Sequence, residues 1–449
     1  MTKQRISKAL LAFIIPFLLS CSSARAEVAR DPGPRPTGAN DQPQPLEGLT
    51  SGQTALFNAG MAKFQGREAV KDGLGPTMNL DSCGGCHSQP TAGGTSPAKN
   101  PQFIFFNDNL KRTNRLPAFI TDNGPVREVR FKLNPDGTAD GGVHDIFTIT
   151  GLGGAEGCIL KQPNFALRRN IIFRIPTPTF GGGLIEQIPD QTIIDNQTAR
   201  ISHRYGVRGK LNIVNTGHTI AVRENRNGND GTIARFGWKA QNKSLLVFSG
   251  EAYNVEMGIT NELFQTERDE TPSCQKAATP NDTTNPDSSG LDALSDIEKF
   301  AAFMRFLAPR VPSTDEPGGA SSINNGKQRF HQVGCTACHT PTLRTGHSTV
   351  AALDNKDVNL YSDLAIHDMG TGLADGISQG QAKGREFRSA PLWGLGQRLF
   401  FLHDGRAKDL VQAIQEHQSP GSEANGVVRQ FLRLRSKDQQ DLLNFLRSL

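Results

Sequence analysis

One short phrase occurs twice in this chain, as "SCGGCHSQP" from Ser82 to Pro90 and as "GCTACHTP" from Gly334 to Pro341. Each copy holds Cys-x-x-Cys-His, and 249 positions separate Cys86 from Cys335. Two thiols about one helical turn apart can form thioethers with the vinyl groups of a haem, while the following His binds its iron from one side. Competing readings of the motif are weaker. A zinc ribbon sets its cysteine pairs about 15–20 residues apart, and a thioredoxin-type dithiol needs neither the His nor a second copy. The expected cofactors are two covalently bound haem c groups, one on Cys83, Cys86 and His87, the other on Cys335, Cys338 and His339.

The chain start agrees with that chemistry. Lys3, Arg5 and Lys8 precede the apolar run Ala9 to Leu19, which is too short and too Pro-broken for a resident membrane helix. Two cleavage sites are legible. "LLSC" resembles a lipoprotein signal that would leave a lipid anchor on Cys21, and "ARA" before Glu27 resembles an ordinary signal-peptidase site. Either way, residues 1–26 are expected as a signal peptide and the protein as periplasmic. The formal charge of +5 falls to +2 without Lys3, Arg5 and Lys8, which gives no electrostatic case for nucleic acid. Cys158 and Cys274 remain after the motif and leader cysteines are assigned. An oxidising compartment favours their pairing over two buried thiols, and both arrangements stay open.

The repeat extends beyond the motif. Gly60 to Phe64 and Gly326 to Phe330 precede the two sites with the same Gly and Phe spacing. "RIPTPTFGGG" (Arg174 to Gly183) follows the first and "RSAPLWGLG" (Arg388 to Gly396) the second. Each half closes with an amphipathic helix. Phe300, Phe303, Met304 and Leu307 match Leu442, Phe445, Leu446 and Leu449 in an i, i+3, i+4, i+7 stripe, and Ser295 with Glu298 forms a capping box.

The fold class expected is mainly α, with two cytochrome c-like domains in tandem, the first enlarged by β-containing insertions. "VREVRFKL" (Val126 to Leu133) and "HDIFTITG" (His144 to Gly151) alternate in the manner of strands. The boundaries are a flexible tether over 27–49, a first domain over 50–308, a Pro/Gly/Ser-rich linker over 309–322 and a second domain over 323–449. Thr271 to Gly290 reads as a surface loop.

The second axial position of each iron decides its chemistry. Candidates are His367, Met369, His403 and His417 in the second half, and His144, His203, His218 and Met257 in the first. In "NRNGNDG", Asn225, Asn227 and Asn229 alternate like ligands of a Ca2+ loop, against the plainer reading of a tight Asn/Gly turn.

The order of these motifs, with "FLHDGRAKDL" (Phe401 to Leu410), "HDMGTGLADG" (His367 to Gly376) and "GGGLIEQIPD" (Gly181 to Asp190), resembles the bacterial dihaem cytochrome c peroxidases, and within them the dihaem oxidoreductase group. The resemblance covers most of Gly60 to Leu449. It implies an electron-entry haem whose distal Met falls fourteen residues after the His of Phe-x-His-x-Gly. Here that position holds His417, a departure that implies a lower potential, with Met369 as rival ligand.

It further implies Trp238 as an electron route between haems and Glu256 as a catalytic carboxyl over an open haem, with His144 or His218 as displaceable ligand. It also implies Ca2+ between the domains. The function expected is reduction of hydrogen peroxide with electrons from a small periplasmic donor of cytochrome or cupredoxin type. The alternatives are a pure electron-transfer cytochrome and an oxidant of a thiol or protein substrate.

Overall fold

The computed structural model describes residues 28–38, 42–165, 170–200, 205–215 and 230–449. The leader with Cys21, the two histidines His203 and His218, and the residues Asn225, Asn227 and Asn229 lie outside the described residues. The fold is helix-rich, and its short strands pair only two by two among the described residues. No described helix is long and apolar enough to cross a membrane.

One helix crossing occurs twice. The Ser51–Gln65 helix starts at a capping box, in which Thr50 Oγ1 accepts from the Gln53 backbone and Gln53 Oε1 accepts from the Thr50 backbone. It packs on the Asp296–Phe306 helix, which starts at the expected box of Ser295 and Glu298. Gly60 sits at the crossing, where a Cβ would lie 2.2 Å from Lys299 O. Phe64 meets Phe303 at 4.9 Å between ring centroids.

In the second instance the Ala320–Val333 helix packs on the Ser436–Ser448 helix. A Cβ on Gly326 would lie 1.9 Å from Asp441 O, and Phe330 meets Phe445 at 5.5 Å. A missing side chain at each crossing lets two backbones approach, and the Phe one turn on fills the space beside it. Each ring contributes about 1.5–3 kcal/mol by burial.

Each expected stretch is strand in part, over Glu128–Phe131 and over Phe147–Thr148, and His144 N donates to Val129 O at 2.8 Å between them. Glu128–Phe131 pairs antiparallel with Ile171–Arg174, with Glu128 opposite Arg174. Strand alternation puts Glu128 and Arg130 on one face and Val129, fully buried, on the other. Phe147–Thr148 pairs with Thr77–Met78, immediately before the first cysteine motif. The Ile366–Asp368 and Glu386–Arg388 strands form a third pair, with His367 opposite Phe387.

Cys158 and Cys274 are bonded, with sulfurs 2.09 Å apart across 116 residues. The expectation of a flexible tether over 27–49 requires correction. Asp31 forms a paired contact with Arg447 (2.7 Å to each carboxylate oxygen) and accepts from Leu410 N at 2.7 Å. Arg35 N donates to Gly396 O and Leu46 N to Phe306 O, each at 2.8 Å. The composition looked loose because the partner that neutralises Asp31 lies 416 residues away. The linker is also shorter than expected, since the helix after it begins at Ala320.

Candidate functional site

Each cysteine motif lines a cavity. The first cavity, about 1040 Å³, takes Cys83, Cys86 and His87 into its wall. Ser82 caps the short helical turn Cys83–Cys86 by accepting from Gly85 N at 3.2 Å. This brings the two free thiols one turn apart. His87 Nδ1 lies 3.0 Å from Gly94 O. An Nδ1–H donated to that carbonyl leaves the lone pair on Nε2, as a metal-binding imidazole requires. Burial pushes His87 down to about 4 and keeps it neutral.

The second cavity, about 1400 Å³, repeats the arrangement with Cys335, Cys338 and His339. His339 Nδ1 lies 2.9 Å from Tyr361 O, and burial pushes this imidazole down to about 4 as well.

His417 and Met369 line the same second cavity. His417 caps the Leu410–Glu416 helix, with Nδ1 2.6 Å from Ala413 O, so its Nε2 also keeps a lone pair. Burial lowers its pKa. His367 is bound at both nitrogens, Nε2 to Asp363 at 2.9 Å and Nδ1 to Glu423 at 3.0 Å, which leaves none for a metal. His403 stacks on Phe387 at 4.2 Å between centroids and is pushed down to about 3 by burial.

The cavities share Trp238, which is 8 % exposed. Its Nε1 donates to Ile175 O at 2.8 Å, which fixes the ring, and it lies T-shaped to His403 at 6.5 Å between centroids.

Glu256 lines the first cavity together with His87 and Trp238. Asn79 Nδ2 donates to Glu256 Oε2 at 2.7 Å, and Glu128 lines the same wall. Burial, then the charges of Glu128 and Asp145, push Glu256 well above the usual carboxylate range. Burial would raise Glu128 too, but Arg130 and Arg174 outweigh it and hold Glu128 low. Glu256 is therefore the acid and Glu128 the base of the pair.

His144 does not join this group. It stacks on Phe131 at 3.9 Å, its Nε2 lies 2.5 Å from Asp140, and it is absent from both cavity walls. His87 is the one imidazole in the first wall among the described residues, though Met257 and Met304 are also there.

Sequence reasoning passed over Glu128, Arg130, Arg174 and Asn79. The alternation of "VREVRFKL" carried a usable signal, because it sets Glu128 and Arg130 on one face of a strand.

The residues present fit two haems. The thiol pairs and neutral imidazoles are the donor set that haem c requires. Buried cations without carboxylate partners fit its propionates. Arg388 and Arg398 in the second wall make no ion pair among the described residues, and burial holds both down to about 10. In the first wall, Arg127 makes no ion pair among the described residues, and its Nε is buried without a hydrogen-bond partner.

A family model described as "Di-haem oxidoreductase, putative peroxidase" matches residues 166–449, more than half of the chain. No curated protein matches. Among solved structures, Kuenenia stuttgartiensis hydrazine synthase is similar at 13% identity and a TM-score of 0.33, covering 92% of this chain and 98% of that one. A MauG-like protein associated with microbial copper homeostasis matches at 19% identity and 0.26, covering 36% and 54%. The diheme peroxidase BthA from Burkholderia thailandensis matches at 14% identity and 0.29, covering 48% and 65%. The family match alone carries the assignment.

Proposed function

This chain belongs to the di-haem oxidoreductase family, and from that premise we propose that it is an exported peroxidase that reduces hydrogen peroxide to water with electrons from a small periplasmic donor. Two tandem cytochrome c-like domains would each bind one haem covalently, through Cys83 and Cys86 and through Cys335 and Cys338. A leader cut before Cys21 would leave the protein lipid-anchored in the periplasm. Each haem, when bound, supplies an iron able to exchange single electrons.

The observation that carries the reading is the acid–base pair of Glu256 and Glu128 in the same wall as His87. In such a pair the Glu128 carboxylate takes a proton from one oxygen of hydrogen peroxide while protonated Glu256 gives one to the other, so that water leaves. Asn79 fixes the orientation of Glu256, and Arg130 and Arg174 keep Glu128 ionised. Trp238, common to both walls, provides a π-system between the two sites. His417 supports a second haem closed on both sides and dedicated to electron entry.

Met257 and Met304 in the first wall favour a second reading, an electron carrier with both irons six-coordinate. The test uses haem-loaded protein, fully reduced, mixed anaerobically with one equivalent of hydrogen peroxide. Oxidation of both haems within seconds supports the peroxidase reading. Haems that stay reduced for minutes overturn it in favour of the carrier.

A further inference from the structure

Directly behind the wall of the second cavity lies a hollow open to solvent, and the Asn425–Leu432 helix separates the two. Val427, Val428 and Phe431 line the cavity, while Gly426, Arg429, Gln430 and Arg433 line the hollow, which measures about 1280 Å³. The second set follows i, i+3, i+4, i+7, the opposite face of the same helix. A helix with its side chains is about 10–12 Å thick. A protein seated in the hollow therefore comes within one helix diameter of the second cavity.

The second cysteine motif completes the partition. The Ala320–Val333 helix packs on the Asn425–Leu432 helix and turns through Gly334 to Cys335. Val333 lines the hollow, and Gly334, the next residue, lines the cavity. Tyr205 fixes that turn from the hollow side. Its hydroxyl donates to Gln332 O at 3.0 Å, and a Cβ on Gly334, whose φ is +97°, would lie 2.2 Å from its ring.

The hollow has the makeup of a protein interface. Tyr205 and the apolar Val333 and Leu434 share it with Arg429 and Arg433, which are exposed. Neither arginine makes an ion pair among the described residues. The carboxylates near them in the chain are engaged elsewhere. Glu423 pairs with His367 at 3.0 Å, Asp438 with Arg329 at 3.0 Å and Arg435 at 2.9 Å, and Asp441 with Lys437 at 2.7 Å.

Residues 320–333 and 425–441 together hold Lys327, Arg329, Arg429, Arg433, Arg435 and Lys437 against Asp438 and Asp441, a net charge of +4. The whole chain without Lys3, Arg5 and Lys8 totals only +2. Positive charge is thus concentrated in these two segments. A planar lipid surface does not enter a hollow, whereas a protein with a protruding acidic face does.

We propose that this hollow docks an electron-carrier protein whose own redox centre is ringed by carboxylates, with Arg429 and Arg433 as the cations that meet them. The carrier is oxidised by one electron, which passes into the second cavity and reduces the haem bound there. No proton accompanies it. The proposal rests on the reading of the second cavity as the electron entry.

The test uses one carrier in two charge states, a basic mitochondrial-type cytochrome c and the same protein with its lysines succinylated. Reduced, haem-loaded protein is mixed with each oxidised probe, so that the electron leaves over the contact by which it would enter. At low salt the succinylated probe is expected to react about tenfold or more faster than the basic one. That advantage is expected to shrink as ionic strength rises to about 0.15 M, where charges are screened beyond about 8 Å. It is expected to vanish when Arg429→Glu and Arg433→Glu are combined. Combining Arg429→Gln with Arg433→Gln removes the charges without reversing them and is expected to give an intermediate loss. Calorimetric binding of the succinylated probe is expected to weaken in the same order.

Equal rates for the two probes, a faster basic probe, or an advantage that survives in both variants overturns the docking surface. Equal affinity of parent and variants for the succinylated probe overturns it too. Binding to phosphatidylglycerol vesicles that the variants lose, without any preference between the probes, assigns the arginines to lipid headgroups instead. No hydrogen peroxide enters these experiments, so each of those results leaves the peroxidase reading standing. Preference for the acidic probe in a protein that peroxide does not oxidise upholds the docking surface and overturns the peroxidase reading.

Discussion

A histidine whose Nδ1 is tied to a main-chain carbonyl is prepared for metal before any metal arrives, and three imidazoles in the two cavities have that form: His87 on Gly94 O, His339 on Tyr361 O and His417 on Ala413 O. His417 stands where the peroxidase resemblance implies Met, and on the proposed reading a His there would lower the potential of a haem held in the second cavity. His417→Met is expected to raise that potential by on the order of 0.1 V, a fraction of the ~0.8 V that axial ligands command. Redox titration of the second haem checks this, and an unchanged potential would hand the ligand role to Met369.

Asp145 makes a prediction about stability. Its folded-state value, lifted from 3.8 to about 7, means that the folded protein keeps a proton that the unfolded chain releases. That contribution is complete below about pH 4 and is lost as pH rises toward 7. Asp145→Asn, which never ionises, is expected to match the parent near pH 4 and to exceed it by a margin widening to on the order of 3 kcal/mol by pH 7. Denaturant unfolding across that range measures the gap, and a constant gap would mean that Asp145 titrates normally.

At the scale of elements, the two helix crossings depend on glycine for contact rather than for backbone freedom. Gly60→Ala and Gly326→Ala each force a methyl group against a carbonyl of the facing helix, with an expected cost of roughly 1–3 kcal/mol. Thermal unfolding of the two variants checks this, and a loss confined to one would show that the crossings are not equivalent.

The repeated Gly and Phe spacing and the Ser295 cap were legible in the sequence because their information is local. Gly60 with Phe64, Ser295 with Glu298 and each Cys-x-x-Cys-His lie within one or two turns. The cluster of Asn79, Glu128, Asp145 and Glu256 was not legible as a unit. It forms only when Thr77–Met78 finds Phe147–Thr148 and Glu128–Phe131 finds Ile171–Arg174, and no spacing rule announces those pairings. Glu256 was reached through family resemblance, and Glu128 was passed over as an ordinary strand residue.

Over the whole molecule, long-range ties hold segments that composition presents as loose. Asp31 ties the segment ahead of the first helix to Arg447 on the last one, where burial would raise the carboxyl but Arg447 holds it below its ordinary value. Cys158–Cys274 closes a loop of 116 residues. Replacing both cysteines with serine is expected to cost about 2–5 kcal/mol of unfolding free energy. Denaturation of the oxidised parent against the double variant measures it, and equal midpoints would contradict a structural role.

On the proposed reading electrons enter through the second cavity, and peroxide is reduced at the first with help from Glu256. Stopped-flow oxidation of fully reduced parent and Glu256→Gln by one equivalent of hydrogen peroxide tests it most directly. The variant is expected to react about 100-fold more slowly or worse, with the spectrum of the second haem unaltered. Equal rates in the two proteins would contradict it.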